Sequence, residues 1–184
     1  SSVLVVAELS NAKRPWALST ASPTYRGMNN WKMDAPAVAN IAITMADKAR
    51  QMGHTPRVAI LSYTNFGNPE SKTNEMARAA VAALEQRDVD FEFDGEMTGD
   101  IALDYDLMKS RYPFCRLSGP ANILVMPGLH SANIAFKLVD QLGSVSVIGP
   151  MMLGGEFPFQ IVQMGASVND LVQAAALAAY EALR

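Results

Sequence analysis

The sequence predicts an α/β domain: an open, mostly parallel sheet in three layers, with helices on both faces. Three observations carry that expectation. Short apolar runs rich in β-branched residues alternate with segments of helical periodicity, the order that builds a parallel sheet covered by helices. Several runs, "RVAIL" and "NILVM" among them, are apolar nearly throughout, which calls for burial on both faces. Glycine marks three places where a run gives way to a helical segment, in "SYTNFGNPES", "MPGLHSAN" and "IGPMMLGGEFP". In an open parallel sheet such turns gather at the carboxyl ends of the strands, where ligands bind.

Taken in order, Val3 to Ala7 and Trp16 to Leu18 read as strands. Residues 19–36, "STASPTYRGMNNWKMDAP", show no clear period. They read as a loop anchored by Trp31, with a lid or a partner contact as the functional alternative. Asp34 is placed to cap a helix with Pro36 in its first turn, Ala37, Ile41, Met45 and Ala49 on one stripe, and an end near Gly53. A strand over Arg57 to Ser62 leads to a helix from about Ser71 to Arg87, with Met76, Ala80, Ala83 and Leu84 inward. Strands then fall at Phe91 to Phe93, Ile123 to Met126, Val145 to Ile148 and Phe159 to Val162, with helices over Ile101 to Lys109 and Ser131 to Leu142 between them. A last helix runs from Ser167 to the end, its alanines suited to close packing, with Ser167 and Asp170 spaced as a capping box.

At 184 residues the chain suits one domain, or one large and one partial lobe. Apolar residues make up 49% and charged residues 18%, a globular balance. A net charge of -3 offers no basic surface to a polyphosphate backbone, so nucleic acid is not expected as a partner. No apolar stretch approaches the roughly 20 residues of a membrane span. The single cysteine, Cys115, fits a reducing compartment, and the start "SSVLVVAEL" lacks a basic leader region; a cytoplasmic location is expected.

His54 and His130 have no second ligand at metal spacing, so no metal site is assigned. Nothing near Cys115 signals a nucleophile oriented by a base. Asp94, Glu96, Asp100, Asp104 and Asp106 form a dense acidic run that a divalent cation could use. The preferred reading is ordinary: Asp100 caps the helix that follows and the rest solvate a surface turn. None of the glycine turns is a P-loop or a dinucleotide fingerprint.

The segments "LSYTNFGNPES", "DGEMTGDIALD", "SGPANILVMPGLHSANIAFKLV" and "IGPMMLGGEFPFQIVQMGASVNDLV" resemble, in order and spacing, the phosphate acetyl/butyryl transferase family. More closely, they resemble its variant form fused to the C-terminus of bacterial NADP-dependent malic enzymes. The resemblance is dense from Arg57 to the end and weak over 19–36. It implies a lobe of the phosphate acetyltransferase and isocitrate dehydrogenase type. It also implies a start well inside a module nearly twice as long, with one whole lobe, about 1–160, and the C-terminal helix of a second, about 166–184.

In active members of that family, Ser-Arg-Gly precedes the last helix and an aspartate follows. The arginine is understood to bind phosphate and the aspartate to act as base on the CoA thiol. The matching positions here read Gln163, Met164, Gly165 and Asp170, and a second arginine of active members falls at Gln141. One donor aimed at developing charge is worth about 10² to 10³ in rate, and a charge-assisted hydrogen bond about 1.5 to 3 kcal/mol. A helix N-terminus supplies roughly 1 to 2 kcal/mol, which does not replace two guanidinium groups. No catalytic residue is therefore assigned.

What remains is a cleft able to bind. Its candidate lining is Ser62, Asn65, Asn133, Lys137, Gln163, Met164, Gly165 and Asp170. The resemblance implies an acetyl-CoA-sensing, oligomerising domain with no cofactor of its own. Its partner would be a malic-enzyme catalytic domain that decarboxylates malate to pyruvate with NADP and Mg or Mn. The rival is an active phosphate acetyl/butyryltransferase with relocated cations, Lys137 and Arg116; a third reading is a dimerisation module without a ligand.

Overall fold

The computed structural model describes residues 3–4, 7–10, 16–19, 21–22, 34–71, 74–142, 146–149, 151 and 157–183. Along the chain they form β1 (Val3–Leu4), β2 (Ala7–Ser10), β3 (Trp16–Ser19), β4 (Ala21–Ser22), α1 (Ala35–Gln51), β5 (Arg57–Leu61) and α2 (Glu75–Glu85). There follow β6 (Glu92–Met97), α3 (Gly99–Leu103), α4 (Tyr105–Arg111), β7 (Ile123–Val125), α5 (Leu129–Leu142), β8 (Ser146–Ile148) and α6 (Val168–Ala182). Six strands form one sheet in the order β6-β5-β7-β3-β2-β8. The pairs β5–β6, β5–β7 and β3–β7 are parallel, whereas β2 runs against both neighbours, β3 and β8.

The apolar runs sit where two buried faces are needed. Val58 and Ile60 of β5 and Ile123 and Val125 of β7 point into a core shared with α1 and α2. The alternate residues Ala59, Leu61 and Leu124 point into a second core with α3, α4 and Phe136 of α5. The period of two along each strand thus divides the chain into three layers, as expected. Asp34 caps α1 by accepting from the Ala37 N–H at 2.9 Å. The buried face of α1, which includes Val38, Ile41, Ala42, Met45 and Ala46, is wider than a single stripe because α1 packs on both α2 and the sheet.

Five sequence expectations need correction. β6 extends from Glu92 to Met97, beyond Phe91 to Phe93, because its alternate residues are carboxylates that hid the strand. Glu92 accepts from Ser118 and Asp94 from Arg116, while Glu96 accepts from Thr64 and the Gly67 N–H through Oε1 and leaves Oε2 buried without a hydrogen-bond partner. The helix expected from Ile101 to Lys109 is two, since Asp104 turns extended and caps α4 by accepting from the Leu107 N–H at 3.0 Å. Asp100 is not the cap of α3; Thr98 holds that position and Asp100 accepts from its hydroxyl within the first turn. Phe159 to Val162 forms no strand, and Gln160, Ile161 and Val162 line a pocket instead. Within the expected loop 19–36, Ala21–Ser22 is a short strand paired with β1, while residues 23–33 lie outside the described residues.

Candidate functional site

The pocket lies beyond the carboxyl end of β8, between α5, the segment 160–166 and α6 from Asp170 to Leu177, with a volume of about 270 Å³. Phe136, Met151 and Leu177 give it an apolar floor, and Gln160, Gln163 and Gln173 give it three amides. Its charged groups are Lys137, Asp140 and Asp170, one cation against two carboxylates. Lys137 extends from α5 and donates to Gln163 Oε1 at 3.3 Å, its ammonium 4.9 Å from the Phe136 ring centroid.

The N-terminus of α6 forms one wall. Asp170 Oδ2 accepts from the Ser167 N–H and from the Ser167 hydroxyl, both at 2.8 Å, and the Asp170 N–H donates back to Ser167 Oγ at 3.2 Å. The capping box is therefore complete. Those bonds, the backbone one first, hold the Asp170 carboxyl below the usual carboxylate value. A carboxylate so stabilised is a weak base, and no cation bonds to it among the described residues.

Of the eight residues expected to line the site, the pocket brings together Lys137, Gln163, Gly165 and Asp170. Ser62 and Asn65 are used in folding the turn after β5: Ser62 donates to Asn74 Oδ1 at 2.9 Å, and Asn65 Oδ1 accepts from the Thr98 N–H at 2.8 Å. Asn133 lies exposed on α5, outside the lining, and the Met164 side chain stands wholly in solvent. Among the glycine turns, the one after β8 supplies Gly149 and Met151. Asp140, Gln160 and Gln173 were missed because a polar side chain on a solvent-facing helix or loop carries no signal of its own. The spacing Phe136, Lys137, Asp140 along α5 was the legible hint, since three- and four-residue steps share a helix face.

The relocated-cation reading separates into two outcomes. Arg116 is far from available: it donates to Glu85 Oε1 at 2.7 Å and to Asp94 Oδ1 at 3.1 Å, with its ring-facing side over Phe93. Lys137 does stand at the mouth of α6. The buried Cys115 thiol is raised above its usual value by burial and takes no part in the pocket. Among the described residues no group of three or more His, Cys, Asp or Glu could hold a metal ion, and no helix is long and apolar enough to cross a membrane.

A three-layer lobe with a pocket at the head of its last helix defines a protein of the phosphotransacetylase fold. A phosphotransacetylase from Streptococcus pyogenes superposes with a TM-score of 0.86 over 100% of this chain and 54% of its own, at 24% identity. The chain belongs to the phosphate acetyl/butaryl transferase family, whose model matches residues 30–179. The NADP-dependent malic enzyme of Rhizobium meliloti is 50% identical over 79% of this chain, which spans 19% of that enzyme. The phosphate acetyltransferase of Treponema pallidum is 37% identical over 78% of the chain, which spans 44% of its length.

Proposed function

We propose that this domain senses an acyl-CoA without turning it over, as the regulatory and assembly part of a malic enzyme. The observation that carries the reading is the charge at the mouth of α6: Lys137 shares the pocket with Asp140 and Asp170, and Gln163, Met164 and Gln141 stand where active relatives are expected to carry Ser and two arginines. Phosphate, a dianion, gains little from a lining with one more carboxylate than cation. A neutral pantetheine arm, with two amides, suits three glutamines and an apolar floor. The volume of about 270 Å³ admits an acyl-pantetheine end and leaves the nucleotide outside.

The similarity to malic enzymes, in which the chain spans about a fifth of the length, supports a catalytic partner that oxidatively decarboxylates malate with NADP and Mg or Mn. Such chemistry would belong wholly to that partner. Exposed apolar residues support assembly: among the described residues the large ones, Tyr63 and Phe114 aside, all fall between Ile134 and Leu183. The absence of any buried residue on α6 supports its assignment, residues 166–184, to a second lobe beside the lobe 1–160.

Calorimetric titration with acetyl-CoA tests the proposal. Saturable heat at sub-millimolar ligand, reduced several-fold in Lys137→Met, is the expected result; no heat at millimolar ligand favours a purely architectural module. A second reading, an active phosphate acyltransferase, draws on one observation, the Lys137 ammonium 3.3 Å from Gln163. Under that reading Lys137→Met abolishes acyl transfer rather than weakening binding.

A further inference from the structure

The structure assigns Lys48 and Glu181 a role as positioning residues for the pocket, acting through α6; the assignment rests on reading that pocket as a ligand site. α6 has no buried residue over its 15 positions, and half-buried Leu177 is its one residue packed against the large core beside α1 and α2, so apolar packing holds it weakly. Its last turn is nevertheless tied at depth. Lys48 of α1, 4% exposed, donates to Glu181 Oε1 at 2.6 Å. The neighbouring Tyr180 hydroxyl donates to the Gln51 carbonyl at 2.9 Å, and the Lys48 ammonium lies 6.0 Å from the Tyr180 ring centroid. The other Glu181 oxygen accepts from Gln160 Nε2 at 3.3 Å, and Gln160 lines the pocket.

α6 is thus an arm fixed towards its C-terminal end, where Leu177 also packs on the core, with Asp170, Gln173, Ala174 and Leu177 forming the pocket wall. Asp170 stands roughly 16 Å from Glu181 by the rise of the helix. A buried ion pair adds little net stability over an apolar contact of the same shape, but its hydrogen bonds have fixed directions. Here donors from α1 and from the pocket segment converge on one carboxylate, which sets where α6 lies along and around its axis. A ligand that draws Gln160 into the pocket takes a donor from Glu181, so occupancy and the attachment of α6 are linked.

Amide hydrogen exchange on the whole chain, without ligand, tests this. Lys48→Met should speed exchange over residues 166–178 on the order of tenfold, with β5 and α2 within about twofold of wild type. Tyr180→Phe strands no buried charge and should act on the same segment by about threefold; it decides the matter if Lys48→Met does not fold. The double variant Lys48→Met/Glu181→Met should regain melting temperature yet keep 166–178 fast and bind acetyl-CoA about fivefold more weakly. Unchanged protection over 166–178 in Tyr180→Phe, a uniform rise along the chain, or full recovery of that segment in the double variant would overturn the assignment. Wild-type protein that binds no acetyl-CoA, with the variants giving the expected exchange pattern, would remove the ligand reading and with it the positioning role, leaving only the attachment of α6 through Lys48 and Glu181.

Discussion

Asp170 occupies the position at which active relatives are expected to carry a general base, and its hydrogen bonds close the capping box of α6. Its carboxyl is held below the ordinary 3.8 by hydrogen bonds from Ser167, backbone first. A lowered folded value means that its contribution to stability is present in full above the unfolded value and is lost as pH falls through the folded one. The melting-temperature gap between wild type and Asp170→Asn should therefore be constant above about pH 5 and close as pH drops below about 4. A gap that widens with acidity would contradict the box as described. Gly95 offers a second test on a single residue. At φ of 153° a Cβ would lie 2.7 Å from the Ile60 carbonyl oxygen of the neighbouring strand. Gly95→Ala should cost roughly 1 to 3 kcal/mol in urea unfolding.

At the scale of elements, the periodic helices and apolar strands were legible because burial imposes a period on the sequence. α1, α5 and α6 and strands β5 and β7 followed from that period alone. β6 was half hidden, since Glu92, Asp94 and Glu96 occupy buried or half-buried positions that pattern reading reserves for apolar groups. Partners distant in sequence, Ser118, Arg116 and Thr64, take up Glu92, Asp94 and one oxygen of Glu96, and no local pattern announces them. The break between α3 and α4 had a local sign, the Asp104 cap three residues before Leu107, which was outweighed by the apolar period running across it. Asp104→Ala should cost about 0.5 to 2 kcal/mol, with the loss confined to α4 amides in hydrogen exchange.

The pocket was legible in part for the same reason. Gln163, Gly165 and Asp170 lie on a contiguous segment, and Lys137 comes from a helix face that the fold brings opposite. Ser62 and Asn65 were drawn to it by the rule that strand-end turns line clefts, whereas their bonds to Asn74 and Thr98 use them to close a turn. The Lys48–Glu181 pair joins residues 133 positions apart and is invisible without the fold.

At the scale of the molecule, the large apolar groups left uncovered among the described residues concentrate in the last third of the chain. On α5, Ile134, Leu138 and Leu142 recur every fourth residue and are 60%, 53% and 81% exposed, a stripe suited to another apolar surface. Leu138→Lys/Leu142→Lys should shift sedimentation toward the monomer without lowering the melting temperature. An unchanged distribution would contradict this stripe as an assembly surface.

In the function proposed for it, this pocket recognises an acyl-CoA but lacks the positive charge to hand its acyl group to phosphate. The most direct measurement mixes the purified chain with acetyl phosphate and CoA and follows the thioester. Formation at the uncatalysed rate, with a rise of at least about tenfold in Gln141→Arg/Met164→Arg, is the predicted result. Thioester formed well above background by the unaltered chain, and lost in Lys137→Met, would contradict it.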